Sequence, residues 1–335
     1  MGSDDPTAAA LAAYGLEDTK EMRRALYAVA ELESSELDKS EKSDGMKFAP
    51  RTARGEDMAL AANRALEAGK ARTLENPGKF TSEALVLEDP ETQGRRILAK
   101  PEPKRAPMPQ GVEPGMSCSD REEAFAALAG VLGLGSFVPK AGSALDGEGN
   151  PWALIEMLPP EFRSIQRWRQ ASPGSEKAIF DKHLRDGSLH MWAVLDWVAG
   201  SCDRHGGNIL ADSDGNVSLI DNGSSMADEL FNPSGDHATF IPYYLRYCGA
   251  KRTAQPEDTL SKMPLPPPGV SDAVGGWVLG IDPAAVMAAV APACGMGIAR
   301  AVLGRLVALQ AAVSKSAEPA CAVVNALWAG TGRQS

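Results

Sequence analysis

No two of the five cysteines stand two residues apart from a partner cysteine, and their number is odd. Cys118, Cys202, Cys248, Cys294 and Cys321 therefore offer neither a zinc knuckle nor a disulfide framework, and a reducing compartment suits them. Also missing is any run of about 18 uncharged apolar residues, the length a membrane span requires. The opening residues MGSDDPTAAALAAYG have no basic segment ahead of their alanines, which argues against a secretory leader. Pro6 stands where an N-myristoylation signal needs Ser or Thr. An excess of basic charge is absent too. The net charge of −10 disfavours nucleic acid or an anionic membrane surface as the main partner. A cytoplasmic protein without a transmembrane segment is expected, with delivery into a host cell left open.

What is present is a long chain with a change of texture along it. At 335 residues and 44% hydrophobic content, it can bury one large core or the cores of two lobes. Residues 1–72 are expected to form a helical N-terminal extension, with helices near 7–14, 16–33 and 56–71 and a charged linker at 34–47. Met22, Leu26, Val29 and Leu32 recur there at helical spacing. From residue 76 the pattern turns to strands at 84–87 and 95–100, joined by a turn at 89–94. A proline-rich loop at 101–114 follows. A helix is then expected over 121–132, N-capped by Ser119 or Asp120, with Gly133 and Gly135 ending it. A hairpin turning at 146–150 has 152–157 as its second strand. Strands with one helix between them suit a small antiparallel sheet. After Pro159 and Pro160 the chain reads as mostly helical, with helices at 175–185, 188–199, 283–291, 297–314 and 319–329. The fold class expected is α+β, divided as 1–72, 73–158 and 159–335.

The most distinctive stretch covers residues 194–226. An apolar helix end breaks at Gly200 and gives way to Asp203-Arg204-His205-Gly206-Gly207-Asn208. Two short apolar runs, 208–211 and 217–220, flank a turn at Asp214-Gly215 and read as a β-hairpin. The hairpin places Asn208 at its entrance and Asp221 at its exit, side by side. An amide and a carboxylate oxygen held there, with Asp203 upstream, make a candidate Mg²⁺-phosphate site. Transfer of a phosphoryl group also needs a cation for the phosphates. Lys100, ending an otherwise apolar strand, is the candidate, and it needs a carboxylate to fix its flexible stem. Glu122 shares a helical face with Phe125, Ala129 and Leu132, so it is better placed than Glu123 to meet Lys100. Each feature has a bland rival, since lysines at strand ends are often solvated and glutamates are common at helix starts. A calcium loop around Asp212 and Asp214 fails because Leu210 stands where the first ligand belongs. A Cys202–His205 thiol site fails because the adjoining carboxylate raises the thiol pKa.

These residues resemble the atypical kinases of the phosphatidylinositol 3-/4-kinase-like group and related bacterial kinases of the HipA type. The shared pattern is Asp-Arg-His-x-x-Asn, a hairpin, then Ile-Asp-x-Gly, met here by 203–208 and by Ile220-Asp221-Asn222-Gly223. Arg121-Glu122-Glu123-Ala124-Phe125, Leu132-Gly133-Leu134 and Val138-Pro139 also resemble the bacterial members. The resemblance implies a two-lobed protein-kinase-like fold that uses ATP with Mg²⁺ or Mn²⁺. It implies that Lys100 meets the ATP phosphates and pairs with Glu122, and that Asn208 and Asp221 hold the metal. Asp203 would be the catalytic base, with His205 the competing choice, and Arg204 would brace the loop. Glu156-Met157-Leu158 would border adenine through backbone groups. The chain departs from the family in lacking GxGxxG, so residues 76–82 with Lys79 are the only phosphate-loop candidate. It also departs at Asn222, where the family usually has an aromatic residue or His.

The segment 224–244 contains no Lys or Arg and carries Asp228, Glu229 and Asp236. It therefore favours a protein Ser/Thr or small-molecule acceptor over a phosphoinositide. Two alternatives stay open: a nucleotide-binding pseudokinase or interaction module, and an enzyme of the same fold that transfers AMP or another group.

Overall fold

The computed structural model describes residues 46–73, 84–102, 117–172, 174–201, 203–226 and 264–331. The helices expected at 7–14 and 16–33, most of the 34–47 linker, the 76–82 loop with Lys79, most of the proline-rich loop, Cys202, and residues 227–244 of the acceptor segment lie outside them.

The fold is α+β. Its first half is a six-stranded antiparallel sheet built from β1 (Ala49–Pro50), β2 (Ala71–Thr73), β3 (Leu85–Glu88), β4 (Arg96–Pro101), β5 (Ala141–Leu145) and β6 (Pro151–Glu156). The strand order is β1-β5-β6-β4-β3-β2. Two helices belong to this half, α1 (Glu56–Glu67) and α2 (Cys118–Val131). Side chains alternate across a sheet. Leu87, Ile97, Ala99, Ala144, Trp152 and Leu154 pack with Phe48 and with Met58, Ala61, Ala62 and Ala65 of α1 in one core. The alternation then puts Leu98 and Lys100 on the opposite face, the side on which α2 lies. Each large aliphatic side chain so buried stabilises the fold by about 1.5–3 kcal/mol.

Both edge strands, β1 and β2, come from residues 46–73. The sheet therefore takes in chain on both sides of the boundary expected at residue 72. A pair of glycines allows this docking. A Cβ on Gly142 of β5 would lie 2.9 Å from the Gly55 Cα and 3.2 Å from the Met58 Cβ. Gly142→Ala is accordingly expected to destabilise the protein by about 1–3 kcal/mol through overpacking, read as a lower urea midpoint at unchanged slope.

The second half holds β7 (Arg163–Ser164), α3 (Ile165–Ala171), α4 (Ser175–Arg185), α5 (Ser188–Ala199), β8 (Ile209–Ala211), β9 (Val217–Leu219), α6 (Pro268–Leu279), α7 (Pro283–Lys315) and α8 (Ala320–Thr331). Strands β7, β8 and β9 form a small antiparallel sheet in that order. A second core gathers α2, α4, α5, α6, α7 and α8 around the fully buried Trp192. α7 is kinked at Gly295, whose φ of 72° and ψ of 171° are non-helical. Glycine alone tolerates that conformation without strain. By length and composition α7 could cross a membrane, with a mean hydropathy of 1.7 over its apolar window, but 61% of that window is buried inside the fold.

The start of α2 lies two to three residues earlier than its sequence suggests. The N-cap is Ser117, whose Oγ accepts from the Asp120 N–H at 3.2 Å. Glu102, just past β4, accepts from the N–H groups of Cys118 at 2.8 Å and Ser119 at 3.4 Å. A carboxylate at a helix N-terminus is doubly favoured, by hydrogen bonding and by the helix dipole. Through Glu102 the end of β4 is tied to the start of α2, and this sets Lys100 near Glu122.

Candidate active site

Lys100, the penultimate residue of β4, reaches two carboxylates. Its Nζ is 3.9 Å from the Glu122 Oε1 and makes a close ion pair and hydrogen bond with the Asp221 Oδ1. Glu122 is buried, and its Oε1 has no hydrogen-bond partner. Neighbouring Glu123 turns to the other side. Its carboxylate accepts from the Thr52 hydroxyl and, at 2.6 Å, from the Ser143 N–H. Burial opposes charge on Lys100, but Asp221 and Glu122 outweigh it and hold the ammonium pKa above the usual lysine value. Burial likewise works against the Asp221 carboxylate, yet Lys100 beside it leaves its pKa lowered. For Glu122 burial wins and pushes the pKa up, with Lys100 offsetting part of the rise. One cation thus faces two carboxylates of opposite tendency.

Asn208 and Asp221 flank the β8–β9 hairpin. Asp221 has φ of 55°, a left-handed conformation in which Asp and Asn are over-represented among non-glycine residues. The Ile220 N–H bonds the Asn208 carbonyl at 3.0 Å, closing the hairpin base. At its far end Asp212 Oδ1 accepts from the N–H groups of Asp214 and Asn216, both at 2.9 Å. His183 and Lys182 of α4 bond the carbonyls of Gly215 and Asp214 there.

Arg204 is enclosed at the hairpin base. Its Nε and Nη2 bond the Asp196 carboxylate at 3.2 Å and 3.0 Å. Nη1 donates to the carbonyls of Asn208 at 3.3 Å and Ile220 at 2.9 Å, and Nη2 also donates to the Asn222 Oδ1 at 2.6 Å. The guanidinium lies 5.4 Å from the Phe125 ring centroid of α2. A planar fork with five donors suits such a junction, which a lysine could not reproduce.

Asp203 and His205 lie on the loop ahead of Asn208, about half exposed, with His205 Nε2 at 3.9 Å from Asp203 Oδ1. Burial pushes the Asp203 carboxyl pKa up, and His205 offsets part of that. The His205 Nδ1 accepts from the Gly207 N–H at 3.0 Å. The Asn208 Nδ2 donates to the Asp203 carbonyl at 2.9 Å. Glu156, Met157 and Leu158 lie at the end of β6, on the border between the two halves. The N–H of Glu156 bonds the Lys140 carbonyl at 2.9 Å, and that of Met157 bonds the Arg96 carbonyl at 2.8 Å.

The structure thus brings Lys100, Glu122 and Asp221 into one cluster, with Asn208, Arg204 and Asp203 on the loop beside it. Two members were missed in the sequence. Asp196 is a fully buried carboxylate inside the apolar run of α5; a charge at such a position demands a partner, which was the available signal. Asn222 was noted only as a departure, and it proves to be bonded through both side-chain atoms. Among the described residues no group of three or more His, Cys, Asp or Glu forms a ready-made metal site. No family model matches this chain, and no curated protein is significantly similar to it.

Proposed function

We propose that this chain is an ATP- and Mg²⁺-dependent phosphotransferase with a two-lobed, protein-kinase-like fold. It resembles the phosphatidylinositol 3-/4-kinase-like and HipA-type kinases and acts on a protein Ser/Thr hydroxyl or a small molecule. The observation that carries the reading is the meeting of Lys100 from the sheet with Glu122 from α2 and Asp221 from the hairpin. Three chain segments far apart in sequence supply a fixed ammonium between two carboxylates. Phosphoryl transfer asks for charge held in place more than for covalent chemistry.

The donor set fits a hard divalent cation. The Asn208 Nδ2 is committed to the Asp203 carbonyl, so the amide oxygen is the atom left to ligate. With the Asp221 carboxylate it gives two protein oxygens, and Mg²⁺ usually completes its shell with phosphate oxygens and water. Bound Mg²⁺ would supply neutralisation of phosphate charge. Lys100 would hold the ATP phosphates, and Glu122 would keep Lys100 from following Asp221. At the end of β6 the N–H groups of Glu156 and Met157 are already bonded. The Glu156 carbonyl and the Leu158 N–H are then the groups that would border adenine.

Hydrogen bonding separates the two candidate bases. The neutral imidazole has one lone pair, on the nitrogen without a proton. In His205 that lone pair, on Nδ1, already accepts the Gly207 N–H. Asp203 keeps its carboxylate, made more basic by burial, and would take the proton from an acceptor hydroxyl. His205 and Arg204 would then act on Asp203 and the loop, not on the transferred group.

The test is ATP turnover and autophosphorylation with and without Mg²⁺, for the parent beside Asp203→Ala and Asp221→Ala. Each substitution is expected to lower turnover by about 10²-fold or more. Turnover unchanged in both would remove the assigned site. Thermal stabilisation by Mg-ATP without any product would return a nucleotide-binding module without catalysis. ATP labelled at the α or the γ phosphate decides between transfer of AMP and of phosphate.

A further inference from the structure

We propose that Asn222 is a positioning residue that locks Asp221 to Asn208 through Arg204, so that the two ligands present themselves to a cation as one rigid unit. The proposal rests on the reading of Asn208 and Asp221 as the metal-holding pair. It starts from the bonds around a single guanidinium. The Arg204 Nη1 grips the Asn208 carbonyl at 3.3 Å and the Ile220 carbonyl at 2.9 Å, and Nη2 grips the Asn222 Oδ1 at 2.6 Å. Ile220 and Asn222 are the residues immediately before and after Asp221. The same cation therefore holds the backbone of one ligand and both neighbours of the other.

Asn222 is itself fully engaged. Its Nδ2 donates to the Leu219 carbonyl at 3.3 Å, and its carbonyl accepts from the Ser225 N–H at 3.0 Å. Its backbone N–H works against the rise in the Glu122 carboxyl pKa. It is 3% exposed, so water cannot replace these bonds without opening the loop. Asp221 gains from such restraint, because φ of 55° is a sparsely populated conformation even for Asp. Released from Arg204, Asp221 could relax to an extended φ and turn its carboxylate from Asn208. A phenylalanine at this position could pack there but would offer Arg204 no acceptor. The fork is thus a device of this chain's own residues. Groups that orient ligands in this way typically change metal affinity by about 10–100-fold when removed.

The experiment measures Mn²⁺ binding by electron paramagnetic resonance in the presence of a non-hydrolysable ATP analogue, well below each variant's melting temperature. Asn222→Leu, which keeps the branched shape and deletes the acceptor, is expected to weaken Mn²⁺ binding about tenfold or more and to broaden the bound spectrum. Asn222→Ala, smaller and free of crowding, should do the same and serves if the leucine variant does not fold. Asn222→Asp keeps an oxygen for Arg204 and should bind Mn²⁺ no more weakly than the parent. Parent-like Mn²⁺ affinity in folded Asn222→Leu or Asn222→Ala overturns the proposal, and so does an Asn222→Asp as weak as they are. A merely structural role would lower the melting temperature and leave affinity and line width alone. Failure of the parent to bind Mn²⁺ with the nucleotide analogue removes the metal-site reading itself, and the proposal with it.

Discussion

Lys100→Met is expected to lower Mg²⁺-dependent ATP turnover by about 10²–10³-fold, the scale of losing one pre-placed electrostatic group at a transferring phosphate, while the protein stays folded. The argument for the first half is position. Nζ is the only cation for which the described structure shows contact with both Glu122 and Asp221, and methionine has similar reach without charge. The argument for the second half is proton linkage. Lys100 has a folded pKa above 10.5, so its ion pairs stabilise the fold below pH 10.5, and that contribution is lost as pH rises through the folded value. Asp221 has a folded pKa below 3.8; its contribution is present above pH 3.8 and disappears as pH falls through the folded value. Glu122 works the other way. Its folded pKa lies above 4.5, so it costs stability as pH rises past 4.5, until the folded group has also ionised. In Lys100→Met the contribution of Asp221 vanishes and the cost from Glu122 grows, but Glu122 can hold its proton and so avoid a bare buried charge. Thermal melts across pH 3–8 are the check. The parent should lose stability on the acid side through Asp221, and the variant should lack that component. Unfolding of Lys100→Met at pH 7 would show the lysine to be a structural counter-ion first.

How much of this arrangement was readable beforehand depends on whether local pattern or tertiary contact fixed each part. The strand through Ile97, Leu98 and Ala99 to Lys100 was legible because its apolar run follows a turn and reaches Pro101. The bounds of α4 and α5 were legible because Gly187 and Gly200, with φ of 83° and 62°, punctuate the apolar periodicity. Other elements carry no such mark. β1 has two residues, and its pairing depends on Gly55 meeting Gly142 with most of the first half's chain between them. α6 was passed over because Gly275, Gly276 and Gly280 break up its apolar periodicity. Its helix is upheld from outside, by burial of Val274 and Val278 and by the Trp277 Nε1 bond to the Leu132 carbonyl at 3.0 Å. β7 and α3 were missed for the opposite reason. Only Ile165 in α3 is buried, so no periodic face announces it, and Trp168 is tied in through the Ala211 carbonyl. α7 was read as two helices because Pro292 and Gly295 interrupt it, and the kink at Gly295 is where the two halves meet. In the candidate site, residue types and spacing pointed to Lys100, Glu122, Asn208 and Asp221. Arg204 was expected to brace the loop, but the groups it joins were not visible, because nothing in a sequence says that Asp196 and Asn222 share its buried junction.

That junction carries the largest stability effect to be expected of any single substitution near the site. Asp196→Ala should destabilise the protein by about 3–5 kcal/mol, because it leaves a guanidinium buried without its charge partner. Both groups are enclosed, with side-chain exposures of 0% for Asp196 and 2% for Arg204, and their contact at 3.0 Å is doubled by the second bond from Nε. Neither can reach water to recover solvation in the folded state. Arg204 cannot discard its charge, since a guanidinium stays protonated in proteins. Its bonds to the carbonyls of Asn208 and Ile220 and to the Asn222 amide are to neutral groups, which do not replace a carboxylate in direct contact. The effect should therefore exceed that of deleting an exposed pair such as Lys177 and Asp181 of α4, which is worth at most about 1 kcal/mol. Urea denaturation of Asp196→Ala, Arg204→Met and the double variant Asp196→Leu/Arg204→Met makes the test quantitative. Replacing both charges with apolar side chains removes the uncompensated group, so the double variant should be more stable than Asp196→Ala alone. Its fold would survive while its cation site would not, because methionine cannot hold the Asn208 and Ile220 carbonyls together. A double variant less stable than Asp196→Ala would mean that the hydrogen bonds of Arg204, more than the charge balance, hold this half of the protein together.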